Sequence, residues 1–150
     1  MNAEVGAGNA EVGNGANDMR QRKTYSSGQD MLFDRTTDFA LRVIKMVEAL
    51  PRSRNADVIG KQVLRSATSV GANYRAARRA RSPAEFCAKL GIVEEESDEC
   101  AYWFELLIKS GLLPEAKLSA LVKETDEITA MVVSSIRTAR HKIISTKGRS

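Results

Sequence analysis

The run from Gln62 to Leu90, QVLRSATSVGANYRAARRARSPAEFCAKL, decides the fold, because within it one helix ends in a burst of arginines, the chain turns, and another helix begins. Ser82-Pro83-Ala84-Glu85 places serine at an N-cap, proline at the first helical position and glutamate three residues after the cap. That chemistry satisfies the amides a helix start leaves open. Upstream, Ile59, Val63, Ala67, Val70, Tyr74 and Ala77 recur at steps of three and four, the period of one helix face. Gly71, on the edge of that face, would let a neighbouring helix approach closely.

Working outward, Phe39, Val43, Met46 and Leu50 form a stripe with Ala40, Ile44 and Val47 beside it. This predicts a first helix capped by Asp34 and ended by Pro51, and a second from about Ala56 to Arg79 capped by Asn55 or Ser53. After the Ser82 cap, a heptad-like seam of Phe86, Leu90, Val93, Ser97, Cys100, Phe104 and Leu107 runs to a stop at Gly111. Pro114 then reads as the first position of a fourth helix reaching about Ile144 on Leu118, Leu121, Thr125, Ile128, Val132, Ile136, Ala139 and Ile143. The basic end HKIISTKGRS suits the negative pole of that helix. No strand signal is present. Four amphipathic helices joined by short connections predict an all-α, antiparallel, up-down-up-down four-helix bundle over residues 31–145. Residues 1–30, with almost no large apolar side chains, are expected to be a disordered tail, and 146–150 a flexible C-terminus.

At 150 residues and 43% hydrophobic content the chain has the material for one modest core. A net charge of +4 and a pI near 9.2 lean toward a polyanionic partner. No run approaches the roughly 20 apolar residues a bilayer span needs, and no basic-then-apolar leader pattern opens the chain, so no membrane is expected and the cytoplasm is. Cys87 and Cys100 fall thirteen residues apart on one helix, roughly 20 Å, too far for a disulfide. With a single histidine, His141, neither zinc spacing nor a di-iron bundle site is available, and no cofactor is expected. Nor is there a glycine-rich phosphate loop.

Charge is segregated. Ala56 to Ser82 carries six basic residues against one acid, Asp57, and Pro83 to Leu113 seven acids against two basic residues. Arg75, Arg78, Arg79 and Arg81 are the densest positive cluster, and guanidinium groups there can clamp phosphates, assisted by Lys61, Arg65 and Lys89. The alternative is a solvated face, with cations favoured at a helix C-terminus and partly paired with the acids of the next helix. Glu95, Glu96 and Glu99 form an EExxE, which in all-α nucleotide pyrophosphatases faces a divalent metal; the partner ExxD is missing, since the next helix offers Glu124-Thr125-Asp126-Glu127. Ion pairing is the better reading of those acids, and no metal is expected. Asn73 serves either local structure or recognition of a base or partner backbone, with structure favoured. Ala101 to Ile108 is apolar nearly all round, and on the helical wheel Tyr102 and Leu106 lie opposite the seam, in line with Glu95 and Glu99. That back surface is expected to meet another subunit, with Arg65, Glu95, Glu99, Tyr102, Trp103 and Leu106 at the interface.

LRSATSVGANYRAARRARSPAEFCAKLGI at Leu64 to Ile92, followed by EESDECAYWFELLIKSGLL at Glu95 to Leu113, resembles the 23S rRNA-intervening sequence protein family. The likeness covers the four helices, roughly Leu32 to Arg140. It implies a left-handed antiparallel four-helix bundle, no assigned enzymatic activity, and a homo-oligomer that in relatives is a five-membered ring. The accessory protein of diversity-generating retroelements is similar in fold, and binds nucleic acid and a reverse transcriptase through a basic surface. Relatives often read R-E-A-Q-R-A-R-S where this chain has Arg75-Ala76-Ala77-Arg78-Arg79-Ala80-Arg81-Ser82, so an acid is replaced by Ala76 and a neutral amide by Arg78. The expectation is a non-enzymatic, homo-oligomeric binder of nucleic acid, RNA favoured, with little sequence specificity. The alternatives are a scaffold for a protein partner such as a reverse transcriptase and, more remotely, a metal-dependent nucleotide pyrophosphatase.

Overall fold

The computed structural model describes residues 28–149, which form four helices: α1 Gly28–Glu48, α2 Arg54–Arg78, α3 Pro83–Lys109 and α4 Glu115–Lys147. Successive helices run antiparallel, α1 packs on α2, α2 on α3 and α3 on α4, and a thinner α1–α4 seam closes the square. The expected all-α bundle is what forms. Its core is lined by the predicted stripes: Phe39 and Val43 of α1, Val63, Ala67, Val70 and Tyr74 of α2, Leu90, Val93, Cys100, Phe104 and Leu107 of α3, and Leu118, Ile128 and Val132 of α4 are all buried. Phe39 and Phe104 meet edge to face across the diagonal, ring centroids 6.3 Å apart.

The α2–α3 turn follows its local chemistry. Ser82 Oγ accepts from the Glu85 N–H at 3.1 Å with Pro83 beginning the helix, while the Glu85 carboxylate accepts from the backbone N–H of Arg81, one residue before the cap. At the other end of α3, Gly111 takes φ 72°, a conformation that favours glycine, and Leu113 folds back to donate to the Leu107 carbonyl.

Elsewhere the ends differ from expectation. Asp34 does not cap α1 but lies inside it, because Leu32 and Thr36 extend the buried stripe of Phe39 backward by steps of four and three. The helix therefore takes in residues 28–30, and the remainder of the expected tail lies outside the described residues. Ser53, not Asn55, caps α2, accepting from the Ala56 N–H at 3.2 Å. Pro114 sits just before α4 with extended backbone, and α4 continues through Thr146 and Lys147, into the stretch expected to be flexible. The close helix approach is at Gly60, where an added Cβ would lie 3.1 Å from Leu50 Cδ1 and 3.3 Å from Val47 Cγ1. Gly71 faces the α1 backbone at Thr36 with ordinary contact room, 3.6 Å.

Buried hydroxyls mark register between α3 and α4. Ser97 Oγ lies 2.6 Å from Thr129 Oγ1, and Thr125 donates to the Leu121 carbonyl. Among the described residues no buried side-chain nitrogen or oxygen lacks a partner. Burial raises the Cys100 thiol to about 12, so it behaves as a small apolar side chain; both cysteines are free.

Candidate nucleic-acid interface

Antiparallel packing brings four chain segments to one end of the bundle: the start of α1, the end of α2, the start of α3 and the end of α4. The arginine cluster is there. Arg75 and Arg78 lean over α1, their guanidinium carbons 4.0 and 5.0 Å from the Phe33 ring centroid, and Arg75 also donates to Thr37 Oγ1 at 3.3 Å. Cation–π contact fixes both groups against α1. Arg79 is exposed, and Arg81, its side chain 90% exposed, reaches the Glu85 carboxylate with Nε at 3.4 Å. The hydrogen bond from the Arg81 backbone N–H, more than this side-chain bond, holds Glu85 below the usual carboxylate range.

The other predicted cations are elsewhere. Lys61 and Arg65 lie on α2 about 25 and 20 Å from Arg78 at 1.5 Å per residue. Arg65 bonds to Glu99 and, at 3.2 Å, to Glu96, which raises its pKa, the Glu99 bond contributing most. The complementarity of helices 2 and 3 is thus realised inside one chain. Lys89, half-buried, stands on α3 beyond Glu85.

The interface candidates form a separate surface on the back of α3. Tyr102 is 53% exposed and stacks at 5.0 Å, tilted, on Trp103. Trp103 is half-buried, packs on its own core and donates to Glu99 at 3.2 Å; Leu106 is half-buried and Glu95 exposed. Of the EExxE carboxylates, Glu96 and Glu99 thus hold Arg65, and no group of acids, histidines or cysteines among the described residues is placed to hold a metal ion. Asn73 donates to the Ser69 carbonyl of its own helix at 2.9 Å, the structural role.

One feature went unread in the sequence and a second was read only in part. Arg35 of α1 is clamped by α4, with Nε and Nη2 each 2.8 Å from a Glu124 oxygen and a further bond to Glu127, so Glu124 is held below its usual range and Arg35 above. The signal was the Glu124/Glu127 pair, carboxylates one turn apart on a half-buried face. The second is the end of α4: from Ile128 to Ser150 there is no acid, while Arg137, Arg140, Lys142, Lys147 and Arg149 are basic. Arg137, Arg140 and Lys142 are exposed beside the arginine cluster's end of the bundle, and after Ile136 no α4 residue is buried. Between the α2–α3 turn and this part of α4 lies a cleft of about 570 Å³, with Arg78, Arg81 and Lys142 on its walls and Phe86 in its lining.

No helix among the described residues is long and apolar enough to cross a membrane. A model of the 23S rRNA-intervening sequence protein family matches residues 31–134. A crystal structure from Bacteroides thetaiotaomicron VPI-5482, of a protein of unknown function from the S23 ribosomal protein family, is 34% identical with a TM-score of 0.69, covering 73% of this chain and 97% of that one. No curated protein matches the chain.

Proposed function

The chain belongs to the 23S rRNA-intervening sequence protein family, and on that premise we propose that it is a non-enzymatic, homo-oligomeric module that binds nucleic acid, RNA in the first instance, through the basic end of its bundle. The observation that carries this reading is that Arg78 and Arg81 line one cleft with Lys142, from the acid-free end of α4, with Arg75 and Arg79 exposed at the same end of the bundle. Arginine presents forked donors to phosphate, and phosphate contacts position a strand without reading bases, hence little sequence specificity. A homo-oligomer, a five-membered ring by the resemblance, would repeat the basic end around its axis and multiply weak contacts into avidity. The compartment proposed is the cytoplasm.

The test is a titration against structured RNA, single-stranded RNA and duplex DNA at two salt concentrations, with the Arg78→Ala, Arg79→Ala, Arg81→Ala triple variant alongside. Binding that falls steeply with salt and is lost in the variant supports the reading. Absence of binding at low salt removes it.

A second reading is favoured by one observation, the exposed Tyr102 stacked on Trp103 far from the basic end. It is a scaffold surface, for a second copy or for a protein partner such as a reverse transcriptase. Tyr102→Glu changes that surface without touching the core. Unchanged sedimentation and unchanged partner capture in that variant would end this reading.

A further inference from the structure

The cleft between the α2–α3 turn and α4 combines features that neither wall has alone. Arg78 and Arg81 line one side and Lys142 the other, so cations face each other across about 570 Å³. Hydroxyls alternate with them. Ser82 Oγ accepts the Glu85 N–H, which leaves its own O–H free to donate, and Ser134 on α4 is exposed at the rim. Ser135 and Thr138 donate to carbonyls of their own helix, at 2.9 and 3.0 Å, and so shape the wall without competing for the ligand. Half-buried Phe86 adds an apolar patch against which the face of a base or sugar can lie. Glu85, the acid of α3 that follows the turn, is engaged by Arg81.

We infer that this cleft is the seat of a single nucleic-acid strand, gripped by Arg81 on one wall and Lys142 on the other, a site that rests on the proposed nucleic-acid function and narrows its ligand. The volume lies within the range of small-ligand clefts, ~300–1,000 Å³, and admits a segment of one strand. A duplex carries its phosphates on a convex cylinder too broad to enter, so it reaches only the rim. Cationic walls with an apolar contact are the means by which single strands are held without base readout. RNA and DNA strands share the phosphodiester chemistry the cleft recognises, and separate probes distinguish them.

The test is fluorescence anisotropy on the full chain with labelled oligouridylate, oligothymidylate and a duplex of equal length, across a salt series. The variants are Arg81→Gln, Lys142→Gln, the double variant, Lys142→Arg and an Arg75→Ala, Arg79→Ala pair outside the cleft. Arg81 and Lys142 are exposed, so the fold tolerates these changes. Expected are a preference of roughly tenfold or more for single strands over duplex, a salt slope shallower by about 0.7 for each cation removed, and recovery in Lys142→Arg. Binding of both oligouridylate and oligothymidylate supports the cleft, since the phosphodiester chain is what the two share. Wild-type binding that survives in the double variant, with loss only in the Arg75/Arg79 pair, overturns the cleft and leaves the basic-end function standing. Equal binding of duplex and single strand overturns the single-strand assignment. No binding of any probe by the wild type overturns the parent function along with the cleft.

Discussion

Arginines on the seams between helices and arginines at the α2–α3 turn have the same chemistry and different circumstances. Arg35 and Arg65 each face two carboxylates on a neighbouring helix, Glu124 and Glu127 for the first, Glu96 and Glu99 for the second. Arg75 lies on the Phe33 ring with Arg78 beside it, Arg81 reaches one carboxylate, and Arg79 makes no ion pair with another described residue. What separates Arg65 from Arg79, at the end of the same helix, is the register of the acids on α3. Local charge density does not distinguish them. The α3 acids concentrate between Glu94 and Glu99, opposite the middle of α2, and only Glu85 stands near the turn.

The largest effect that would test this division is on binding. The triple alanine variant at Arg78, Arg79 and Arg81 is expected to lower affinity for single-stranded RNA by roughly 10- to 100-fold at moderate salt, since each lost phosphate contact removes counterion release. Its thermal midpoint should fall only modestly, since the Arg78 contact with Phe33 is worth about 0.5–1 kcal/mol at an exposed site. A comparable loss from Arg65→Ala would break the division.

Next in size is stability at the thin α1–α4 seam. Arg35→Met leaves Glu124 and Glu127 without their counter-charge. Discounted for solvent screening of a partly exposed group, the cost is about 1–2 kcal/mol in chemical denaturation, with RNA affinity unchanged. The seam also carries a pH signature. Because Arg35 depresses the Glu124 pKa in the folded chain, that stabilisation is present above the unfolded carboxylate range, ordinarily near 4.5, and is lost as pH falls through the depressed value. Denaturation midpoints of the wild type should therefore fall between about pH 5 and pH 3 more steeply than those of Arg35→Met. The smallest effect is at Arg65, whose side chain is 47% exposed. Arg65→Ala should cost about 0.5 kcal/mol, as screened surface pairs do. A loss several times larger would mean that the α2–α3 pairing is more than a seam contact.

Elements governed by neighbours in sequence were legible. The start of α3 follows from Ser82, Pro83 and Glu85, its end from Gly111, and the core stripes of α2, α3 and α4 from apolar periodicity. The start of α1 was misjudged because Asp34 is an acceptable cap locally, whereas Leu32 and Thr36 gain burial only when α2 and α4 cover them. The basic cluster on α2 was visible as composition. The contribution of α4 was not, because Lys142 reads as one cation of a basic helix C-terminus until antiparallel packing brings it to the cleft that Arg78 and Arg81 also line.

By itself, then, the sequence determined that this chain makes four helices, which faces they bury and how they connect, since caps, turns and the 3.6-residue period act over a few residues. Only the tertiary structure decided which arginines are held by acids and which surround a cleft, because ion pairing and concavity depend on the register between helices dozens of residues apart.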